Sequence, residues 1–127
     1  MKRLVTFSLA LSLLMAAAAY PGASDEVHFG LRTSSPAADA TVASVDEIRL
    51  TFTQVPQENS AMIRLVDAGG ERVETGELQH AADDATTVFV PVPTPLADGR
   101  YTVAWRGIGD DGHVVRGDFG FTVAAQR

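Results

Sequence analysis

Histidine and carboxylate side chains are the residues of this 127-residue chain whose types and spacing could support chemistry. The chain has no cysteine, which excludes disulfides, thiolate metal sites and cysteine nucleophiles. Imidazole and carboxylate are then the strong ligands available for a transition metal, and together they suit Cu(II) or Zn(II). The histidines His28, His80 and His113 are therefore the first candidates for a metal site.

The segment Asp111-Gly112-His113 has the most suggestive spacing, with a carboxylate and an imidazole two residues apart. In an extended segment, residues i and i+2 project to the same side, so these two side chains can converge on one ion. Asp111 would either bind the ion directly or orient the His113 ring through a hydrogen bond. The alternative is an ordinary turn followed by an exposed histidine, and the spacing taken alone favours that alternative.

The other two histidines are weaker candidates. His28 lies on the face opposite Phe29 and Leu31, where it is either a ligand or an exposed residue of a loose terminus. His80 stands in a polar segment that ends at residues 81–84, which predicts a solvated loop.

The sequence lacks the residue patterns required for nucleic-acid binding, phosphate binding and nucleophilic catalysis. The formal net charge of −6 argues against nucleic-acid binding, which normally uses a basic patch. Glycines at 107, 109 and 112 are not followed by the Lys-Ser/Thr pair of a phosphate-binding loop. Ser34-Ser35 before Pro36 does not have the pattern of a nucleophile turn. The sequence predicts that the protein is not an enzyme.

The start of the chain has the features of a secretory signal peptide. Lys2 and Arg3 precede an apolar run over residues 4–19, and small residues follow it. That run is shorter than the roughly 20 residues that a membrane-spanning helix needs.

We predict a signal peptide over residues 1–24, cleaved after Ser24, with cleavage after Ala19 as the alternative. The mature domain would then span residues 25–127 and contain no membrane-spanning segment. Because Lys2 and Arg3 would be removed with the signal peptide, the formal net charge would change from −6 in the whole chain to −8 in the mature domain.

The rest of the chain shows the alternation of apolar and polar residues that is typical of β-strands. Strands are predicted over residues 28–33, 47–53, 63–65, 88–92, 101–106 and 118–124, with a weak one around Val73. A helical turn within residues 39–45 is also expected, and Pro91 predicts an edge strand or a bulge. The pattern indicates an all-β, immunoglobulin-like sandwich of about seven strands, with Trp105 filling much of the core.

Several segments, in this order, match the pattern of one protein family. They are HFGLRTSSPA at residues 28–37, EIRLTF at 47–52, PLADGRYTVAWR at 95–106, and DGH at 111–113 followed by Gly117 and FGFTV at 119–123. From His28 onward the chain thereby resembles the CopC family of periplasmic copper-resistance proteins. The resemblance covers nearly the whole predicted mature domain.

The resemblance implies a Greek-key sandwich of immunoglobulin or cupredoxin type that binds Cu(II) without being an enzyme. By position it implies that His28, Asp111 and His113 are the copper ligands. It also implies a periplasmic protein of copper homeostasis or resistance, which sequesters the ion or passes it to an inner-membrane copper transporter. Copper is the tightest divalent binder in the Irving–Williams order, so a histidine–carboxylate site would tend to select it.

Two features depart from the family pattern. The family histidine is typically the first mature residue, so that its own amine joins the metal, but Val27 before His28 does not suit cleavage. We therefore predict a weaker or differently coordinated Cu(II) site, assisted by the carboxylate of Asp25 or Glu26. Some members also carry a methionine-rich loop for Cu(I), which prefers sulfur. Only Met62 lies outside the predicted signal peptide, so Cu(II) alone is expected.

Three functions remain open from the sequence. The first is the copper-binding role in sequestration or hand-off. The second is an immunoglobulin-like interaction module that has kept the fold but binds metal weakly or not at all. The third is a mononuclear copper enzyme of oxidative type, for which the sequence indicates no substrate surface.

Overall fold

The structure is a computed structural model, and it describes residues 28–125. These residues form nine β-strands and no helix, so the described part of the chain has no helix that could cross a membrane. The strands are β1 (Leu31–Ser35), β2 (Thr41–Val42), β3 (Glu47–Phe52), β4 (Met62–Val66), β5 (Arg72–Val73), β6 (Gln79–Ala81), β7 (Asp84–Pro91), β8 (Gly99–Ile108) and β9 (Val114–Val123). The predicted signal peptide lies outside the described residues.

The strands form two sheets, in the order β1-β3-β7-β6 and β2-β9-β8-β4-β5. Neighbouring strands pair antiparallel, except for β2, which runs parallel to β9. The chain crosses from one sheet to the other after β1, β2, β3, β5 and β7. The predicted all-β, Greek-key sandwich is confirmed, with the short strands β2 and β6 in addition to the seven that were expected.

The core lies between the sheets and follows the alternation of the sequence. Ile48, Leu50 and Phe52 of β3 point inward, while the residues between them are only partly buried. Each fully buried side chain of this size contributes about 1.5–3 kcal/mol to folding. At one end of the core the Phe52 ring packs on Phe29 and Trp105, with ring centroids 4.7 and 5.5 Å apart respectively. Trp105 therefore has the core position that the sequence predicts.

Two local predictions were wrong. The expected helical turn at 39–45 is absent, because Thr41 and Val42 form β2 against the free edge of β9. Pro91 does not mark an edge strand or a bulge: it ends β7, which lies inside its sheet. The Pro91 carbonyl accepts a hydrogen bond from the backbone of Gly76 at 2.8 Å, so the proline nitrogen faces the side where β6 no longer pairs. No ladder hydrogen bond is lost there.

Candidate metal centre

The candidate centre lies in the loop of residues 109–113, which connects the two longest strands. β8 and β9 pair continuously from Gly99–Val123 to Ile108–Val114, so the loop projects from the end of a ten-residue hairpin. Gly112 closes the turn by donating its N–H to the Gly109 carbonyl at 3.1 Å, and it does so with φ at +79°. A glycine adopts that backbone conformation without strain.

Asp111 and His113 contact each other within this loop. The His113 backbone N–H donates to Oδ1 of Asp111 at 3.0 Å, and Nδ1 of the His113 ring lies 3.1 Å from Oδ2. Both side chains are solvent-exposed, the imidazole by 81% and the carboxylate by 52%. The convergence expected from the spacing is present, and so is the turn, so ligation of a metal by these residues stays a prediction.

The same contact favours the charged carboxylate. The hydrogen bond from the His113 backbone lowers the pKa of Asp111 below its ordinary value of 3.8. The hydrogen bond and the charge of the His113 ring act in the same direction, while desolvation opposes them. The Asp111 carboxylate is therefore an anionic partner of the His113 side chain at neutral pH.

Phe29 and two glutamines hold the loop in place. A Cβ on Gly109 would lie 2.6 Å from Cβ of Phe29, so this glycine lets the loop pack directly on the buried ring. The Asp110 backbone N–H donates to Oε1 of Gln54 at 3.1 Å. Nε2 of Gln57 donates to the Gly109 carbonyl at 2.9 Å. The sequence did not predict these glutamines, because their partners lie more than fifty residues further along the chain.

His28 lies in the segment that packs on this loop. Its carbonyl accepts a hydrogen bond from the Thr53 hydroxyl at 2.6 Å, and the same hydroxyl accepts the N–H of Gly30 at 3.0 Å. The next residue, Phe29, is buried against Gly107 and Gly109, so His28 belongs to the same end of the sandwich as the loop.

The structure does not bring all three predicted ligands into one set. Within residues 28–125 no group of three or more histidine or acidic side chains is close enough together to hold a metal ion. Asp111 and His113 meet, whereas His28 is not joined to them as a third ligand. His80 is exposed, as expected, but lies on the edge strand β6 and not in a loop. Asp25 and Glu26, the predicted assisting carboxylates, lie outside the described residues.

Comparison with known proteins gives consistent matches. The family model of the CopC domain matches residues 31–124. A copper resistance protein C from Xanthomonas campestris pv. juglandis is 31% identical over 121 residues, which is 91% of this chain and 95% of that protein.

Two solved structures have a similar fold. The crystal structure of CopC from Methylosinus trichosporium OB3b superposes with a TM-score of 0.70 and 32% identity, covering 79% of this chain and 97% of that one. PcoC, a methionine-rich copper resistance protein from Escherichia coli, gives a TM-score of 0.69 and 27% identity, covering 76% of this chain and 99% of that one.

Proposed function

The chain belongs to the CopC family, and from that membership we propose that it is an exported Cu(II)-binding protein. Proteins of this family are copper-binding resistance proteins and not enzymes, and the chain shares that general role. The finer proposal is that it acts in the periplasm and uses an N-terminal histidine together with the loop of residues 109–113. It either sequesters Cu(II) or passes it to an inner-membrane copper transporter.

The contact between Asp111 and His113 is the observation that carries this proposal. When Nδ1 of His113 carries its proton and donates it to Asp111, Nε2 is unprotonated and can bind a metal. A carboxylate partner also fixes the ring orientation and makes the imidazole a stronger ligand. The exposed imidazole is then the first Cu(II) ligand, and Asp111 orients it or adds an oxygen to the coordination sphere.

His28 is the second imidazole of the proposed site. Its backbone is held by Thr53, and the neighbouring Phe29 fixes the segment beside the loop, while the side chain itself is exposed. We propose that Cu(II) completes the ligand set on binding by drawing the two imidazoles together. Asp25 or Glu26 supplies a further oxygen in place of the terminal amine.

The donor set favours Cu(II) over Cu(I). PcoC is described as methionine-rich, whereas Met62 is the one methionine of residues 28–125. It stands on β4, directly opposite Arg106 of β8, where a cation would be repelled. Nitrogen and oxygen ligands suit Cu(II), and a single thioether does not make a Cu(I) site.

The second candidate is an immunoglobulin-like interaction module with weak or no metal binding. The finding that favours it is that no group of three or more metal-ligating side chains exists within the described residues. The two candidates differ in whether the protein takes up one Cu(II) through its histidines.

Titration of the exported protein with Cu(II) decides between the two candidates. Calorimetry measures the binding, and electron paramagnetic resonance identifies the ligand atoms. We expect one bound Cu(II) with nitrogen hyperfine structure in the wild type and in His80→Ala, the matched control. The double variant His28→Ala/His113→Ala should lose this site and its nitrogen signal. A wild type that binds no copper, or a double variant that binds as well as the wild type, would support the interaction module instead.

The mature N-terminus is a separate test of the modified site. Mass spectrometry of the exported protein should find Asp25 as the first residue. A protein that begins at His28 would supply the amine as a ligand and exclude the assisting role of Asp25 and Glu26.

A further inference from the structure

The outer face of the five-stranded sheet carries an open pocket of about 430 Å³ whose lining side chains have a net positive charge. Three arginines from three neighbouring strands line it: Arg64 of β4, Arg106 of β8 and Arg116 of β9. The formal charge of the whole chain is −6, so a concentration of positive charge on one face is unexpected from composition. The pocket plays no part in the proposed copper site.

The strand register brings these charges together. Arg106 stands directly opposite Arg116 in the pairing of β8 with β9, and Arg64 is opposite Ala104, two residues along β8. Directly opposed like charges destabilise a sheet. None of the three guanidinium groups forms an ion pair with a carboxylate of residues 28–125. A multiply charged anion would relieve this repulsion and satisfy the unused donors.

Ala104 is the small residue on the same face as the arginines, and its short side chain leaves room for the pocket. Gly117 is opposite Trp105, and a Cβ on Gly117 would come within 2.5 Å of the Trp105 ring, so the indole packs directly against this glycine. Trp105 and Gly117 also line the pocket. Asp118, opposite Ala104, adds one hydrogen-bond acceptor to a site otherwise made of donors.

We propose that this pocket binds a small hydroxylated polycarboxylate anion, of the class to which citrate and malate belong. An arginine guanidinium group binds a carboxylate through two parallel hydrogen bonds. Three arginines together therefore suit a ligand with two or three carboxylates. The volume is within the range of small-molecule sites, about 300–1,000 Å³. Asp118 accepts a hydrogen bond from the ligand hydroxyl, which distinguishes this class from simple inorganic anions.

Calorimetry with metal-free protein in low salt tests the proposal, with citrate and with tricarballylate, its analogue that lacks the hydroxyl. Citrate should bind with millimolar or tighter affinity and change the fluorescence of Trp105, the single tryptophan of the chain. Tricarballylate should bind about tenfold more weakly, since the Asp118 acceptor is left without a partner. The Asp118→Asn variant should reduce that difference between the two ligands.

Matched variants locate the binding. The double variant Arg106→Gln/Arg116→Gln should weaken citrate binding by about tenfold or more, because two charge-assisted contacts are lost. Arg72→Gln removes an exposed arginine of the same sheet outside the pocket, and it should leave citrate binding unchanged. The double variant should unfold at the same temperature as the wild type or higher, since it removes a repulsive pair. Its Cu(II) titration should also be unchanged, which separates this site from the copper proposal.

Three results would overturn the proposal. The first is the absence of citrate binding at millimolar concentration in low salt. The second is equal binding of citrate by the wild type and the double arginine variant. The third is binding of an acidic peptide through these arginines without binding of citrate, which would make the face a protein-docking surface.

Discussion

Asp84 at the start of β7 and Asp111 in the loop after β8 accept hydrogen bonds from residues that follow them closely in sequence. Oδ1 of Asp84 accepts the backbone N–H of Thr86 at 2.9 Å and the Thr86 hydroxyl at 2.6 Å, and Oδ2 accepts the Thr87 hydroxyl at 3.0 Å. Asp111 accepts the backbone N–H of His113, two residues later, and also contacts Nδ1 of the His113 ring. Both carboxyl pKa values are lowered, mainly by these hydrogen bonds.

The difference between the two lies in the partner and not in the carboxylate. The Asp84 carboxylate is used by two hydroxyls and an N–H, which fix the start of a strand and offer no strong copper donor. The Asp111 partner is an imidazole, and in the proposed function its second nitrogen, which this contact does not use, would bind Cu(II). A lowered pKa therefore does not by itself separate the proposed metal site from a structural carboxylate, whereas the side chain two residues later does separate Asp111 from Asp84.

Loss of the His113 imidazole should have the largest effect on Cu(II) binding. His113→Ala should weaken Cu(II) binding by about a hundredfold or more, at or above the 10–100-fold that loss of an orienting partner costs. Thr86→Ala, at the matching position after Asp84, should leave Cu(II) affinity unchanged. Competition with a chromophoric chelator measures both. Equal affinities of His113→Ala and the wild type would remove the distinction between the two carboxylates.

Replacement of the carboxylates themselves is the next comparison. Asp111→Asn keeps the size of the side chain but removes the anionic partner of His113, so Cu(II) affinity should fall about 10–100-fold. Asp84→Asn should leave it unchanged while lowering the thermal midpoint of unfolding, because the charge-assisted hydrogen bonds at the start of β7 weaken. A copper effect of Asp84→Asn as large as that of Asp111→Asn would show that overall charge, and not the local site, controls binding.

The packing beneath the loop gives a third test. Gly109→Ala places a Cβ 2.6 Å from Cβ of Phe29 and 2.9 Å from Oε1 of Gln54, so the loop must shift. Crowding of this kind costs about 1–3 kcal/mol of folding free energy and should also weaken Cu(II) binding. Gly69→Ala is the control, since its Cβ would make only an ordinary 3.4 Å contact with Asp67. Denaturant unfolding and Cu(II) titration should show both effects in Gly109→Ala and neither in the control.

The sequence predicted those parts of the molecule that depend on local pattern. Alternation over five or more residues identified β3, the strand that supplies Ile48, Leu50 and Phe52 to the core. The two-residue spacing indicated contact of Asp111 with His113 as one alternative and an ordinary turn as the other, and both are present. β2 and β6 are only two and three residues long, too short for alternation to be visible, and they form because β9 and β7 offer edges to pair with.

The remaining features depend on register and on distant contacts. Gln54 and Gln57 reach the loop across more than fifty residues, so no local pattern indicates their role. The opposition of Arg106 and Arg116 exists only because the hairpin pairs Ile108 with Val114. A shift of one residue in that register would have separated the two charges onto opposite faces.

The smallest expected effect is on acid stability, where the two carboxylates should behave alike. A carboxyl whose pKa is lowered by folding contributes stability that is complete above its ordinary pKa of 3.8 and is lost as the pH falls through the lower folded-state value. The thermal midpoint of the metal-free protein should therefore begin to drop as the pH approaches 3.8 from above and should continue to drop below 3.8. Asp84→Asn and Asp111→Asn should each begin with a lower midpoint at the upper pH and show a shallower drop. Asp83→Asn, which changes the exposed neighbour of Asp84, should follow the wild type. A steeper acid dependence in Asp84→Asn would contradict the direction of its pKa shift, because removal of a group with a lowered pKa can only reduce the number of protons taken up on unfolding.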